Sequence, residues 1–175
     1  MSRTNNVYLV GPMGVGKTTI GKSLAKTLGL EFLDSDKEIE TRTGVSIMTI
    51  FDIEGDIGFR KRETQIISEL VNRRGIVLAT GGGSILQVEN RRMLRNSGLV
   101  IYLYATVEMQ LERTKNNDTR PLLRNKNRKN VLEKLMSERE SLYRQEADII
   151  YMTGNQAPHL AAEEIATEVR QKWQS

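Results

Sequence analysis

Residues 11–19 read GPMGVGKTT, and Gly11, Gly16, Lys17 and Thr18 within them satisfy the spacing G-x-x-x-x-G-K-[ST]. Glycines let the backbone curl until successive N–H groups converge, and converging N–H groups at a helix N-terminus bind phosphate. The Lys17 ammonium can reach β and γ phosphates as a point charge, and the Thr18 hydroxyl suits Mg²⁺, which takes oxygen ligands. The chemistry implied is the binding of a nucleoside triphosphate. The loop alone does not separate a kinase from an ATPase, a GTPase or a binding switch.

Further along, "LDSD" carries Asp34 and Asp36 two residues apart. In extended chain they share a face, about 6–7 Å between Cα atoms. One can hold a metal-bound water while the other faces an acceptor hydroxyl; alternatively, Asp36 only caps the helix beginning KEIE. "TGGG" at residues 80–83 exposes backbone N–H groups and admits a ligand closely. Arg60 stands three residues before Glu63, a spacing that also fits an ordinary surface ion pair. Arg120 lies in "TRPLL", where Pro121 stiffens the chain and Leu122 and Leu123 can press it onto the body. Such a segment reads as a lid whose arginine stabilises a moving phosphoryl group. Arg139, in "ERESLYR", reads from pattern alone as a solvated helix charge. Met93, Met109 and Trp173 read as packing residues, and His159 as an exposed one.

Apolar runs at residues 7–10, 30–34, 76–80, 99–103 and 148–152 read as strands. Helical patterns separate them: from the glycine loop through Leu28, then 36–43, 46–53, 59–74 ending at Gly75, 89–96, 106–115 with Thr106 as cap, 130–146 and 159–173. Residues 116–129 break the periodicity. Five strands alternating with helices predict an α/β fold, a parallel sheet with helices on both faces, whose ligands bind beyond the C-terminal strand ends. No internal repeat or linker divides the 175 residues, which read as one domain.

The chain is 38% hydrophobic and 27% charged, with no cysteine and one histidine. Thiolate or His-rich metal sites are thereby excluded. No apolar run approaches a transmembrane span, and the start has no signal-peptide layout, so the expected location is the cytoplasm, with no membrane partner. The net charge is +4. "RNKNRK" at residues 124–129 is the densest basic cluster but has no aromatic interleaved for base stacking, so no nucleic-acid partner is expected.

Taken together, "GPMGVGKTT", "DSD", "GFRKRE", "ATGGGS", "RPLL" and "ERESLYR", in that order and spacing, resemble the bacterial shikimate kinases over nearly the whole length. The resemblance implies a three-layer αβα fold with a five-stranded parallel sheet of order 2-3-1-4-5, similar to nucleoside monophosphate kinases. It implies transfer of the ATP γ-phosphoryl to the 3-hydroxyl of shikimate, with Mg²⁺, by a monomer. By resemblance Gly14, Val15, Gly16, Lys17, Thr18 and Thr19 bind ATP, with Lys17 also catalytic, and Thr18 ligates the metal. Asp34 matches the aspartate that holds the metal through water, and Asp36 the one that contacts acceptor hydroxyls and is a candidate base. Arg60 and Arg139 match the arginines on the shikimate carboxylate, Gly82 a backbone donor to shikimate, Arg120 the lid arginine, and Arg113 the arginine near adenine. An acceptor-binding region at about 36–64 and a lid at about 116–129 follow. The chain departs from the family at residues 151–158, "YMTGNQAP", which lack the Ile/Val-Asp pair of many members; Gln156 is the candidate replacement. A gluconate- or nucleotide-type kinase and a non-transferring nucleotide switch remain the alternatives.

Overall fold

The structure, a computed structural model, describes residues 4–117, 121–123 and 127–175. Its centre is a five-stranded parallel sheet of order β2-β3-β1-β4-β5, formed by β1 (Val7–Val10), β2 (Glu31–Asp34), β3 (Ile76–Ala79), β4 (Leu99–Tyr104) and β5 (Ile149–Met152). On β1, Leu9 pairs with Ala79 on one side and Ile101 on the other. The helices are α1 (Lys17–Leu28), α2 (Ser35–Thr43), α3 (Ile47–Leu70), α4 (Val88–Ser97), α5 (Val107–Thr114), α6 (Arg128–Glu146) and α7 (Pro158–Gln174). Short 3-10 turns stand at Ser84–Leu86 and Pro121–Leu123.

Alternation along β1 divides the core. Val7 and Leu9 join Leu24 of α1 and Ile165 and Val169 of α7 on one face. Tyr8 and Val10 join Ile67 of α3, Leu94 of α4 and Tyr143 of α6 on the other. All four β1 residues are buried, as expected where side chains alternate between two covered faces. Met109 and Trp173 pack against the first core and Met93 against the second. His159 is exposed. Among the described residues no helix is long and apolar enough to cross a membrane.

Local differences from the sequence reading have local causes. The two helices expected at 46–53 and 59–74 run on as α3, with only Gly55 (φ 70°, ψ −175°) leaving helical geometry between them. That positive-φ, extended geometry is essentially restricted to glycine, and a side chain there would cost roughly 1–3 kcal/mol. The helix stops at Leu70, short of Arg74, and Gly75 instead sits in the turn into β3, its carbonyl accepting from Glu31 N. β3 ends at Ala79, and Thr80 makes the last ladder bond, its N–H and its Oγ1 both donating to the Leu9 carbonyl at 3.1 and 2.9 Å. α6 starts at Arg128, so the end of the expected lid is helical. Leu123 is buried against Met13 and Leu132, whereas Leu122 stays exposed.

Candidate active site

The phosphate-loop sequence forms a bend between β1 and α1, with Gly11, Gly14 and Gly16 all at positive φ. Val15 is fully buried and plugs the loop into the core, while Thr18 and Thr19 are exposed at the start of α1. Lys17 Nζ donates to the Gly11 and Pro12 carbonyls at 2.6 and 2.9 Å, which draws the ammonium across the loop. Gly14, Gly16, Lys17, Thr18 and Thr19 line one cleft with Asp34 and Asp36.

Asp34 ends β2 and has two partners. Its Oδ1 accepts from Lys37 N at 3.1 Å, capping α2, and its Oδ2 accepts from Thr18 Oγ1 at 3.0 Å. The cap is therefore Asp34 and not Asp36, which stands in the first turn of α2 with its side chain turned to the cleft. Between them Ser35 is buried and accepts from Gly81 N at 3.2 Å, locking the glycine strip to the start of α2. Thr18 and Asp34 bring two hard oxygen donors together, and the described residues contain no cluster of three or more His, Cys, Asp or Glu that would form a complete metal cage. That donor set fits Mg²⁺, which keeps waters and substrate phosphates in its shell.

Beyond Asp36 lies a second, smaller cavity lined by Phe59, Arg60, Glu63, Arg139 and the glycine strip, with Pro121 and Leu122 at its edge. Arg60 Nη1 donates to Glu63 Oε1 at 2.8 Å, but Glu63 is fully buried, so this is no surface pair. Arg139 is only 6% exposed, contrary to its reading as a solvated charge, because α6 lays it under Gly82. Arg139 Nε and Glu63 Oε2 are buried without a hydrogen-bond partner, and Arg60 Nε lacks one while lying 3.4 Å from Asp56 Oδ1. Buried polar atoms of this kind are costly unless something completes them, and two guanidinium groups suit an anionic, hydroxyl-bearing guest. Burial pushes the Glu63 carboxyl up to about 7, with Asp36 adding to the rise and Arg60 and Arg139 opposing it. The glycine strip is close-packed: a Cβ on Gly81 would stand 2.8 Å from Glu63 Oε2 and 2.9 Å from Asp36 Oδ1, and one on Gly83 would collide with the Arg60 guanidinium. Tyr143 Oη donates to the Gly82 carbonyl at 2.5 Å and is also hydrogen-bonded to Arg139.

A third group of residues lies behind the loop. Arg113 of α5 donates to Gly14 O, Thr153 Oγ1 and Gly154 O at 3.0, 3.2 and 2.7 Å, joining the phosphate loop to the turn after β5. Arg113 and Gln156 border a cavity of about 340 Å³ there. Arg120 lies outside the described residues. A larger cavity of about 450 Å³ sits between α2 and α3, away from these groups, and its arginines are engaged: Arg42 with Glu69 and Arg62 with Glu54.

Residues 13–174 match the family model for shikimate kinase. The chain belongs to the shikimate kinase family. A shikimate kinase of Nitrosococcus oceani is 54% identical over 166 residues, 95% of this chain and 87% of that one. One from Francisella tularensis subsp. holarctica is 57% identical over 154 residues, 87% of this chain and 88% of its own. Among solved structures, the shikimate kinase of Acinetobacter baumannii in complex with shikimate superimposes with a TM-score of 0.94 at 48% identity, covering 97% of this chain and 94% of that one. A gluconokinase from Sinorhizobium meliloti shares the fold alone, at 13% identity and TM-score 0.57. Within this shikimate kinase chain, sequence reasoning missed Ser35 and Tyr143 and gave Glu63 only an ion-pairing role. The available signals were the serine inside "DSD" and a tyrosine one helical turn beyond Arg139.

Proposed function

We propose that this chain transfers the γ-phosphoryl group of ATP to the 3-hydroxyl of shikimate, giving shikimate 3-phosphate on the route to chorismate and the aromatic amino acids. One observation carries the reading. The phosphate-loop cleft and the arginine-lined cavity share a wall made of Asp36, Gly81 and Gly82, so a triphosphate in one would end beside a guest in the other.

In this reading Gly14 to Thr19 cradle the phosphates with backbone N–H groups, and Lys17 moves from the loop carbonyls onto the phosphate oxygens. Thr18 and Asp34 hold Mg²⁺, which when bound neutralises phosphate charge. Arg60 and Arg139 fork the shikimate carboxylate, the Gly82 N–H donates to the ring, and Asp36 accepts the hydroxyl proton. Arg113 and Gln156 border the nucleoside, and Arg120 reaches the transferred phosphoryl from a lid over residues 116–129. The acceptor region spans residues 36–64 of a single kinase domain. The protein works as a cytoplasmic monomer on small molecules, without nucleic acid or membrane.

The test is acceptor-dependent ADP release measured with shikimate, gluconate and nucleoside monophosphates. Turnover with shikimate alone is expected. Asp36→Asn should lower kcat by about 100-fold or more, the usual loss with a general base, while the melting temperature is kept. Absence of shikimate-dependent ADP from folded protein overturns the reading.

A further inference from the structure

The nucleoside cavity carries a hydrogen-bond chain with a fixed direction. In the turn between β5 and α7, Gln156 donates through Nε2 to the Tyr151 hydroxyl at 2.7 Å. Tyr151 in turn donates to Glu164 Oε2, one and a half turns into α7, at 2.5 Å. A carboxylate only accepts, so the phenol hydrogen goes to Glu164. Burial first, and the bond to Glu164 second, raise the Tyr151 phenol above its ordinary value, so it keeps that hydrogen. With its hydrogen directed to Glu164, the phenol oxygen accepts from Gln156, and the Gln156 amide must turn its NH₂ inward.

The amide oxygen is then the atom turned away from Tyr151. It lies over Gly154, where a Cβ would come within 2.5 Å of it. Gly154 and Gln156 border the same cavity as Gly14, Gly16 and Arg113. Had the amide been free to rotate, this edge would offer donor and acceptor alike. The chain from Glu164 removes that freedom and leaves an acceptor.

We propose that Tyr151 and Glu164 are positioning residues that hold the Gln156 amide with its oxygen toward the base, so that the site favours a purine with an amino group at C6 over one with a keto oxygen there. A 6-amino group donates to Gln156 Oε1, whereas a 6-keto oxygen sets acceptor against acceptor. The inference rests on the reading of this cavity as the nucleoside site of the kinase. Three groups divide the work: Gln156 touches the base, Tyr151 orients Gln156, and Glu164 orients Tyr151.

The experiment compares kcat/KM for ATP, GTP and ITP at saturating shikimate, using the full chain. ITP isolates the C6 group because it lacks the 2-amino group of GTP. The unaltered protein should favour ATP over ITP by about tenfold or more, the scale of one hydrogen bond replaced by a repulsion. Tyr151→Phe and Glu164→Ala, which removes the acceptor altogether, should each bring that ratio to within about threefold of unity, the scale of a weak residual preference. The change should appear in the nucleotide KM and not in the shikimate KM. A purely structural role would weaken ATP and ITP alike and leave the ratio intact. Glu164 is exposed on α7, so Glu164→Ala gives a folded variant to measure if Tyr151→Phe does not. An unchanged ratio in the folded variants, or an unaltered protein that uses ATP and ITP equally with shikimate, overturns the inference and leaves the kinase reading standing. If no acceptor is turned over, the kinase reading fails, and calorimetric titration with ATP and ITP still reads the purine preference.

Discussion

Glu63 faces Asp36 from α2, Arg139 and Tyr143 from α6 and its own neighbour Arg60, in a pocket closed by the glycine strip. With its carboxyl pushed up to about 7 by burial, it is neutral below that pH and charged above it. Charged, it offsets the two guanidinium groups and repels a carboxylate guest. The KM for shikimate should therefore rise as the pH passes upward through about 7, and Glu63→Gln should flatten that profile. Stability follows the same proton. Between the ordinary carboxyl value of 4.5 and about 7 the folded chain binds a proton that the unfolded chain releases, so unfolding free energy falls with rising pH across that window and levels off above it. Thermal melts across the window, with and without Glu63→Gln, measure the slope. None of this was legible from the i, i+3 spacing, because the burial of Glu63 comes from Gly81, remote in sequence. The phosphate-loop residues were legible for the opposite reason: their chemistry needs only neighbours within nine positions.

At the scale of elements, β2 and α2 meet at one side chain with two tasks. Asp34 caps α2 through one oxygen and holds the Thr18 hydroxyl through the other. Asp34→Ala should lose about 1 kcal/mol of stability with the cap and nearly all turnover. Asp34→Asn keeps a capping oxygen and removes the charge; it should hold its melting temperature near that of the parent yet remain as inactive as the alanine variant. Melting curves beside Mg²⁺-dependent kinetics separate the two tasks. Sequence patterns placed all five strands and most helices because apolar alternation and caps are local signals. As a cap they offered only Asp36, and that as an alternative to an acceptor contact, since either aspartate of "DSD" satisfies the pattern and only the geometry of the strand end chooses between them. They also left a gap around Gly55, where a single residue with positive φ lets α3 kink without unwinding.

Across the molecule, the sheet keeps two cores apart, and the strand order came from family resemblance, because periodicity says nothing about which strands adjoin. Ile165, fully buried between α7, α1 and the sheet, belongs to the core away from Arg60 and Arg139. Ile165→Ala should lower unfolding free energy by about 2–5 kcal/mol in urea titrations, with the shikimate KM little changed. The same division separates the supports of the two cavities. The turn that carries Gln156 is braced from beneath by Ala161, Ala162 and Ile165, all buried against the first core. The rim of the arginine-lined cavity is built differently: Ile47 and Phe51 reach it from the stretch of α3 ahead of Gly55, where Ile53 and Ile57 stand 77% and 74% exposed on either side of the kink. One half should therefore act as a stator and the other as a flap on a single-residue pivot. Amide hydrogens of residues 47–57 should exchange into deuterium well before those of residues 161–169, so that the arginine-lined cavity should loosen its rim while the turn carrying Gln156 stays rigid.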